Sequence, residues 1–136
     1  DPSNYSLGKL YSVNFYQSLS KILEPNAVVV IQTTSPYFAP KSFWCTNKTV
    51  KTSFSNTDAY HVYVPSFGEW GFTITSNNPS YDFNIVNRKV KNLRFYNYKY
   101  NTLNQFTSDM KASNVEVNRL DNQILVRYFD EEWGKL

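Results

Sequence analysis

Residues 60–75 read YHVYVPSFGEWGFTIT, and no other stretch constrains the fold as much. Tyr60, Val62 and Val64 alternate with His61 and Tyr63. After PSFGE, Trp70, Phe72 and Ile74 alternate with Gly71, Thr73 and Thr75. Two period-2 runs joined by a turn containing Pro and Gly predict a β-hairpin. Aromatic and β-branched residues fill both arms, as a pleated and largely buried surface requires. The turn carries Ser66, Phe67 and Glu69. A rigid hairpin holding such a turn over a sheet edge is a candidate wall of a binding cleft. A buried hairpin with an ordinary surface turn fits the same pattern.

The segments before the hairpin set its context. Leu10, Tyr11, Phe15, Leu19, Ile22 and Leu23 recur at helical spacing, with Ser12 as a candidate cap and Glu24, Pro25 and Asn26 as a stop. Residues 27–31, AVVVI, form a short unbroken apolar run. After a helix and between turn residues, that run predicts a central parallel strand buried on both faces. Gln32 and a polar loop, TTSP, follow it. In open α/β sheets the ligand crevice lies outside the carboxyl ends of the strands. Gln32 is therefore a candidate ligand contact whose amide both donates and accepts; capping the strand or the next helix is the other role it could play. Pro40 suits the first turn of a helix running to about Phe54, whose apolar face Asn47 interrupts. Residues 56–59 are expected to turn into the hairpin.

Helix, strand, helix and antiparallel hairpin, in that order, predict an α/β fold. The order is that of the C-terminal half of a Rossmann-like, methyltransferase-type sheet, by analogy of fold. The boundary falls at residues 77–80, NNPS, dividing the chain into residues 1–78 and a C-terminal extension, residues 79–136. The extension begins polar, basic and Tyr-rich; a short helix is expected over residues 103–110 and a short β-type run over 115–117. It closes with Leu120, Ile124, Leu125, Tyr128, Phe129 and Trp133 at helical spacing. Asn118 or Asp121 is a candidate N-cap for that helix and Gly134 its stop. This helix is expected to dock on the main sheet or on a partner chain.

Composition removes several function classes. The chain has 136 residues, 41% hydrophobic and 18% aromatic, enough for a core of its own. Its net charge of +3 comes from scattered basic residues, which does not make a nucleic-acid footprint. The densest basic group, Arg88, Lys89, Lys91 and Arg94, is interleaved with apolar residues and reads as a solvated face. One cysteine, Cys45, allows no internal disulfide, and one histidine beside it makes no Cys/His zinc site. Glycine occurs only at 8, 68, 71 and 134, so no glycine-rich phosphate loop is present. No apolar run reaches the length of a membrane span. The abrupt opening at Asp1 and Pro2 is expected of the C-terminal part of a longer polypeptide.

Four stretches carry a resemblance: DPSNYSLGKLYSVNFY, VVVIQTTSPYFAPKSFWC, YHVYVPSFGEWGF and VEVNRLDNQILVRYFDEEW. Together they resemble the C-terminal half of spermidine synthase-like proteins, the polyamine aminopropyltransferases, and most of all the bacterial membrane-anchored branch. The resemblance implies a Rossmann-like domain that transfers an aminopropyl group from decarboxylated S-adenosylmethionine to an amine such as putrescine. It implies that this co-substrate is bound mainly by an N-terminal half outside these residues, and that no metal is required. It also implies a parent held at the cytoplasmic face of a membrane by preceding helices, with this piece itself soluble.

The resemblance also assigns residues. Asp1 and Pro2 match the end of the family's D-x-x-D-P motif, so Asp1 takes the role of the second Asp, which helps hold the amine. The first Asp, the family's base, would lie three residues before Asp1, leaving no catalytic residue within this chain. Gln32 matches the family's amine-contacting Gln. Phe67 stands where soluble spermidine synthases carry a Tyr whose hydroxyl reaches the diamine; it keeps the ring face but donates no hydrogen bond. Glu69 could supply a carboxylate instead, or serve as a turn or salt-bridge residue.

The expected partners are a diamine or polyamine and the N-terminal half, with a homo-oligomer to be tested for and no nucleic acid. Two other readings stay open. One is a relative that binds polyamines or nucleosides without turnover, beside membrane helices. The other is an interaction module working through the C-terminal extension.

Overall fold

The computed structural model describes residues 1–83 and 103–134. Asn4 accepts the amide of Leu7 at 3.0 Å and opens a short helix, α1, Tyr5–Gly8. A 3-10 turn, Lys9–Tyr11, leads to Ser12, whose hydroxyl accepts the amide of Phe15 at 3.3 Å and starts α2, Val13–Ile22. That is the cap the sequence predicts. The first strand, β1, is Val28–Gln32. Pro40 occupies the first turn of α3, Pro40–Lys51. The hairpin follows as β2, Asn56–Val64, and β3, Gly68–Ser76. The last helix, α4, is Ile124–Trp133, with Gly134 as its C-cap.

The sheet order is β1-β3-β2, and both outer strands run antiparallel to β3. β1 and β2 are therefore parallel to each other, with α3 connecting them and β3 inserted between. This strand order, followed by a C-terminal helix, agrees with the one expected of the C-terminal half of a Rossmann-like sheet.

One face of the sheet is covered by α3. Asn47, the residue expected to break that helix's apolar face, is buried and donates to Thr73 Oγ1 at 3.3 Å. Gly71 lies under the Phe43 ring so closely that a Cβ there would sit 2.3 Å from it. Tyr16, Val50 and Phe54 form one buried cluster, packed by Leu19, Leu23 and Ile31. Each such fully buried side chain contributes about 1.5–3 kcal/mol. Cys45, Val115, Ile124 and Leu125 form a second cluster that fastens α4 to α3.

Asn118 joins the two clusters. It is fully buried and donates through Nδ2 to the carbonyls of Gly8 and Tyr11, at 3.1 Å each. Its Oδ1 accepts the amide of Leu125, in the first turn of α4, at 3.2 Å. Its backbone N–H donates to Thr49 Oγ1, and its carbonyl accepts from Val13. A buried amide satisfied at this many points ties α1, α2, α3 and α4 together, since any displacement would strand a polar group.

The structure revises several expectations. β1 is not covered on both faces: Val28 and Val30 are 39% and 51% exposed, and its partner among the described residues is antiparallel β3. A continuous apolar run does not say which face a helix will cover, and α3 covers only one. Residues 56–59 are strand rather than turn, and the hairpin loop is only Pro65, Ser66 and Phe67, so Glu69 belongs to β3. α3 ends at Lys51, three residues before Phe54. Of the helix expected over 103–110, residue 103 is helical, 105–107 are not, and Ser108–Met110 is a 3-10 turn. Residues 115–117 pair in no ladder. The basic group Arg88, Lys89, Lys91 and Arg94, and most of the Tyr-rich stretch around it, lie outside the described residues. Among the described residues no helix is long and apolar enough to cross a membrane.

Candidate functional site

The hairpin loop is a tight turn. Pro65 takes its second position, Ser66 its third with φ 75°, and the Phe67 amide donates to the Val64 carbonyl at 3.0 Å. Pro followed by a positive φ is the pattern of a type II turn. Gly68 follows with φ 73°, a conformation that favours glycine. These two bends present the Phe67 ring, which packs edge-on against Trp70 at 5.5 Å.

The sheet face opposite α3 bears Gln32, Val64, Trp70 and Phe72. Gln32 is the last residue of β1 and pairs with Phe72 in register; Phe72 in turn stacks on Tyr60 at 5.2 Å. With Asp1 and Phe67 these residues line a hollow of about 410 Å³. Asp1, Gln32 and Phe67, three candidates far apart in sequence, thus border one space.

Glu69 is not brought to that space. It alternates with Trp70 along β3 and points to the α3 face, where its carboxylate meets His61 Nδ1 at 2.7 Å. His61 lies diagonally across the hairpin, and its Nε2 contacts the carbonyl of Gln105 at 2.8 Å. The pair fastens the hairpin to the extension. The strict alternation along the arm carried this signal, because a residue beside Trp70 must face the other way.

The loop after Gln32 is locked from both sides. Thr33 donates to the Gly71 carbonyl at 3.0 Å, and Gly71 donates to the Thr34 carbonyl at 2.7 Å. Thr34 holds φ 65°, and its hydroxyl accepts the indole N–H of Trp133 at 3.1 Å. Ser35 Oγ accepts the amides of Tyr37 and Phe38 and so fixes the backbone that carries the Phe38 ring. Phe38, Phe129 and Trp133, with Asp1, Phe67 and Trp70, border a second hollow of about 480 Å³. Sequence reasoning assigned Phe129 and Trp133 to a docking face, and nothing in their spacing marks one edge of that face as a cavity wall.

Cys45 and Tyr16 are buried and line neither hollow. Burial pushes the Cys45 thiol up to about 12, so it stays protonated at neutral pH. Burial also raises the Tyr16 phenol far above its ordinary range. Among the described residues, no three His, Cys, Asp or Glu side chains converge as a metal site.

Comparison with known proteins gives a consistent set of matches. Residues 1–89 match the model of the spermine/spermidine synthase domain. The chain is similar to a polyamine aminopropyltransferase of Leptospira interrogans, 44% identical over 137 residues, covering 100% of this chain and 27% of that protein. It is also similar to polyamine aminopropyltransferase 2 of Ralstonia nicotianae, 48% identical over 136 residues, covering 98% of this chain and 26% of that protein. The chain thus spans about a quarter of the length of the curated relatives it matches. Among solved structures, it is similar to spermidine synthase from Thermotoga maritima, with TM-score 0.48 and 18% identity over 93% of this chain and 40% of the other.

Proposed function

Because the chain belongs to the spermine/spermidine synthase family, we propose that it forms the amine-substrate side of an aminopropyltransferase cleft. The observation that carries this reading is the hollow shared by Asp1, Gln32 and Phe67. A polyamine is a flexible chain of methylenes with ammonium ends. It calls for a carboxylate, a hydrogen-bonding amide and an apolar wall, and Asp1, Gln32 and Phe67 with Trp70 offer one of each.

The reaction needs little else from these residues. The amine nitrogen bonds to the methylene carbon beside the sulfonium of decarboxylated S-adenosylmethionine. The carbon–sulfur bond breaks, and its electron pair stays on sulfur as a neutral thioether. The surplus proton on nitrogen passes to a carboxylate base, which the family resemblance puts before Asp1. A neutral amine is required for attack, and a water-poor apolar cleft favours that form. Alignment of nitrogen and carbon lowers the barrier further. Donor binding falls mainly to residues outside this chain, and the reading extends to a parent anchored at the cytoplasmic face of a membrane.

A second reading keeps the hollow but not the turnover: a module that binds polyamines or nucleosides. Phe67 is the residue in its favour, since a ring without a hydroxyl grips methylenes but fixes no amine by hydrogen bonding. The assay that separates the two follows aminopropyl transfer by the full-length protein carrying these residues. Transfer that Gln32→Ala weakens about tenfold in the KM for amine, with little change for the donor, supports the proposal. Equal loss toward both substrates removes Gln32 from the amine site, and binding without transfer selects the second reading.

A further inference from the structure

The two hollows are neighbours that share Asp1, Phe67 and Trp70. The first, at about 410 Å³, is already within the range of small-ligand sites, roughly 300–1,000 Å³. The second, of about 480 Å³, adjoins it along those three residues. Its walls are rings in a connected series: Trp133 lies 6.2 Å from Phe38, 6.3 Å from Trp70 and 6.1 Å from Phe129, and Trp70 lies 5.5 Å from Phe67. None of the lining residues is basic, and Asp1 stands at the shared border.

Such a box selects for charge as well as for shape. Aromatic faces carry negative potential and attract alkylammonium groups, most strongly where several rings surround them. A carboxylate at the border adds to the attraction. Ser66 adds one hydroxyl to the walls, but an anion would find no cationic side chain among the lining residues. The box is also fixed in place. The Trp133 indole is tied to Thr34, two residues beyond Gln32, and the neighbouring Glu132 is bonded to the start of α3. α4 is therefore a wall of the site as well as a docked helix.

We propose that the aromatic hollow seats the distal ammonium end of a linear polyamine with at least three amino groups, and that Trp133 and Phe129 set the acceptor length. The inference rests on the amine-side reading above and adds the acceptor class. A diamine is held within the first hollow, whereas a triamine spans both.

The test is calorimetric titration of the full-length protein, without donor, using butane-1,4-diamine and the linear triamine spermidine as probes. The wild type is expected to bind the triamine more tightly, and Trp133→Leu to reduce that preference about tenfold, the scale of a desolvated cation–ring contact. Phe129→Leu is expected to act in the same direction and serves if Trp133→Leu does not fold. Trp133→Phe keeps a ring but loses the N–H to Thr34, and the preference is expected to survive it. Equal wild-type affinity for both amines overturns the inference while leaving the amine reading intact. Wild-type preference for the triamine without any aminopropyl transfer does the reverse, ending the enzymatic reading alone. Loss of preference in Trp133→Phe as large as in Trp133→Leu overturns the ring's role in favour of positioning through Thr34. Binding of neither amine overturns both proposals.

Discussion

The carboxylate of Glu132 accepts the backbone N–H of Lys41 at 2.7 Å. Its second oxygen accepts the amide and the hydroxyl of Ser42, at 2.9 and 2.7 Å. These are first-turn donors of α3, whose own cap residue, Ala39, offers no side-chain oxygen. A helix start left without partners costs free energy, and a carboxylate there also meets the positive end of the helix dipole. The C-terminal helix thus supplies a cap that the local sequence lacks.

Removing that cap is the first prediction. Glu132→Ala should destabilise the full-length protein by about 1–2 kcal/mol, read as a lower urea midpoint. Glu132→Gln should cost less, because an amide oxygen can still accept one of the bonds. An unchanged midpoint in Glu132→Ala would show that α3 needs no cap from α4.

Gly71 offers a steric test. An alanine Cβ there would lie 2.3 and 2.5 Å from ring carbons of Phe43 and 2.8 Å from the Thr34 carbonyl. The ring and the loop after Gln32 would both have to shift. Gly71→Ala should cost about 1–3 kcal/mol in thermal or chemical melts, and it should weaken amine binding as well. Wild-type stability in this variant would mean that the contact between α3 and the hairpin is looser than described.

The Cys45 thiol has a pH signature. Burial raises it from 9.0 to about 12 in the folded chain. The native state therefore holds this proton more tightly than the unfolded state does. Its contribution to stability is complete below pH 9 and is lost as pH rises towards 12. Urea midpoints of wild type and Cys45→Ala, compared from pH 8 to 11, should diverge above pH 9, with the wild type falling more steeply. Iodoacetamide should modify Cys45 slowly in the native protein and quickly in urea. Parallel pH curves, or rapid native alkylation, would contradict the buried thiol.

A fourth prediction concerns the chain alone. Residues 1–136 by themselves should catalyse no aminopropyl transfer, because the reading assigns the base and most donor contacts to other residues. Measurable turnover by this chain would require a base within it, and the assignment of roles would have to be redrawn.

Much of the local structure was legible. Ser12 capping α2, Pro40 opening α3, Gly134 closing α4 and the period-2 arms of the hairpin all follow from forces acting within a few residues. The three residues singled out by resemblance, Asp1, Gln32 and Phe67, border one hollow. The place of Glu69 was legible too, had its alternation with Trp70 been followed past the turn. The coverage of β1 was not, since an apolar run reads the same whether one face or both are buried.

The amino-acid sequence alone determined α2, α3, the hairpin and α4, their order and the family to which the chain belongs. Spacing, caps and turn residues act locally and need no knowledge of distant partners. Only the tertiary structure decided that Glu132 caps α3, that Asn118 bonds to four helices and that Trp133 walls a hollow beside Gln32. Apart from the local bond between Asn118 and Leu125, those choices join residues some 70 to 110 positions apart. Such pairings are set by whichever packing of the whole chain buries its apolar area while leaving the fewest polar groups unpaired.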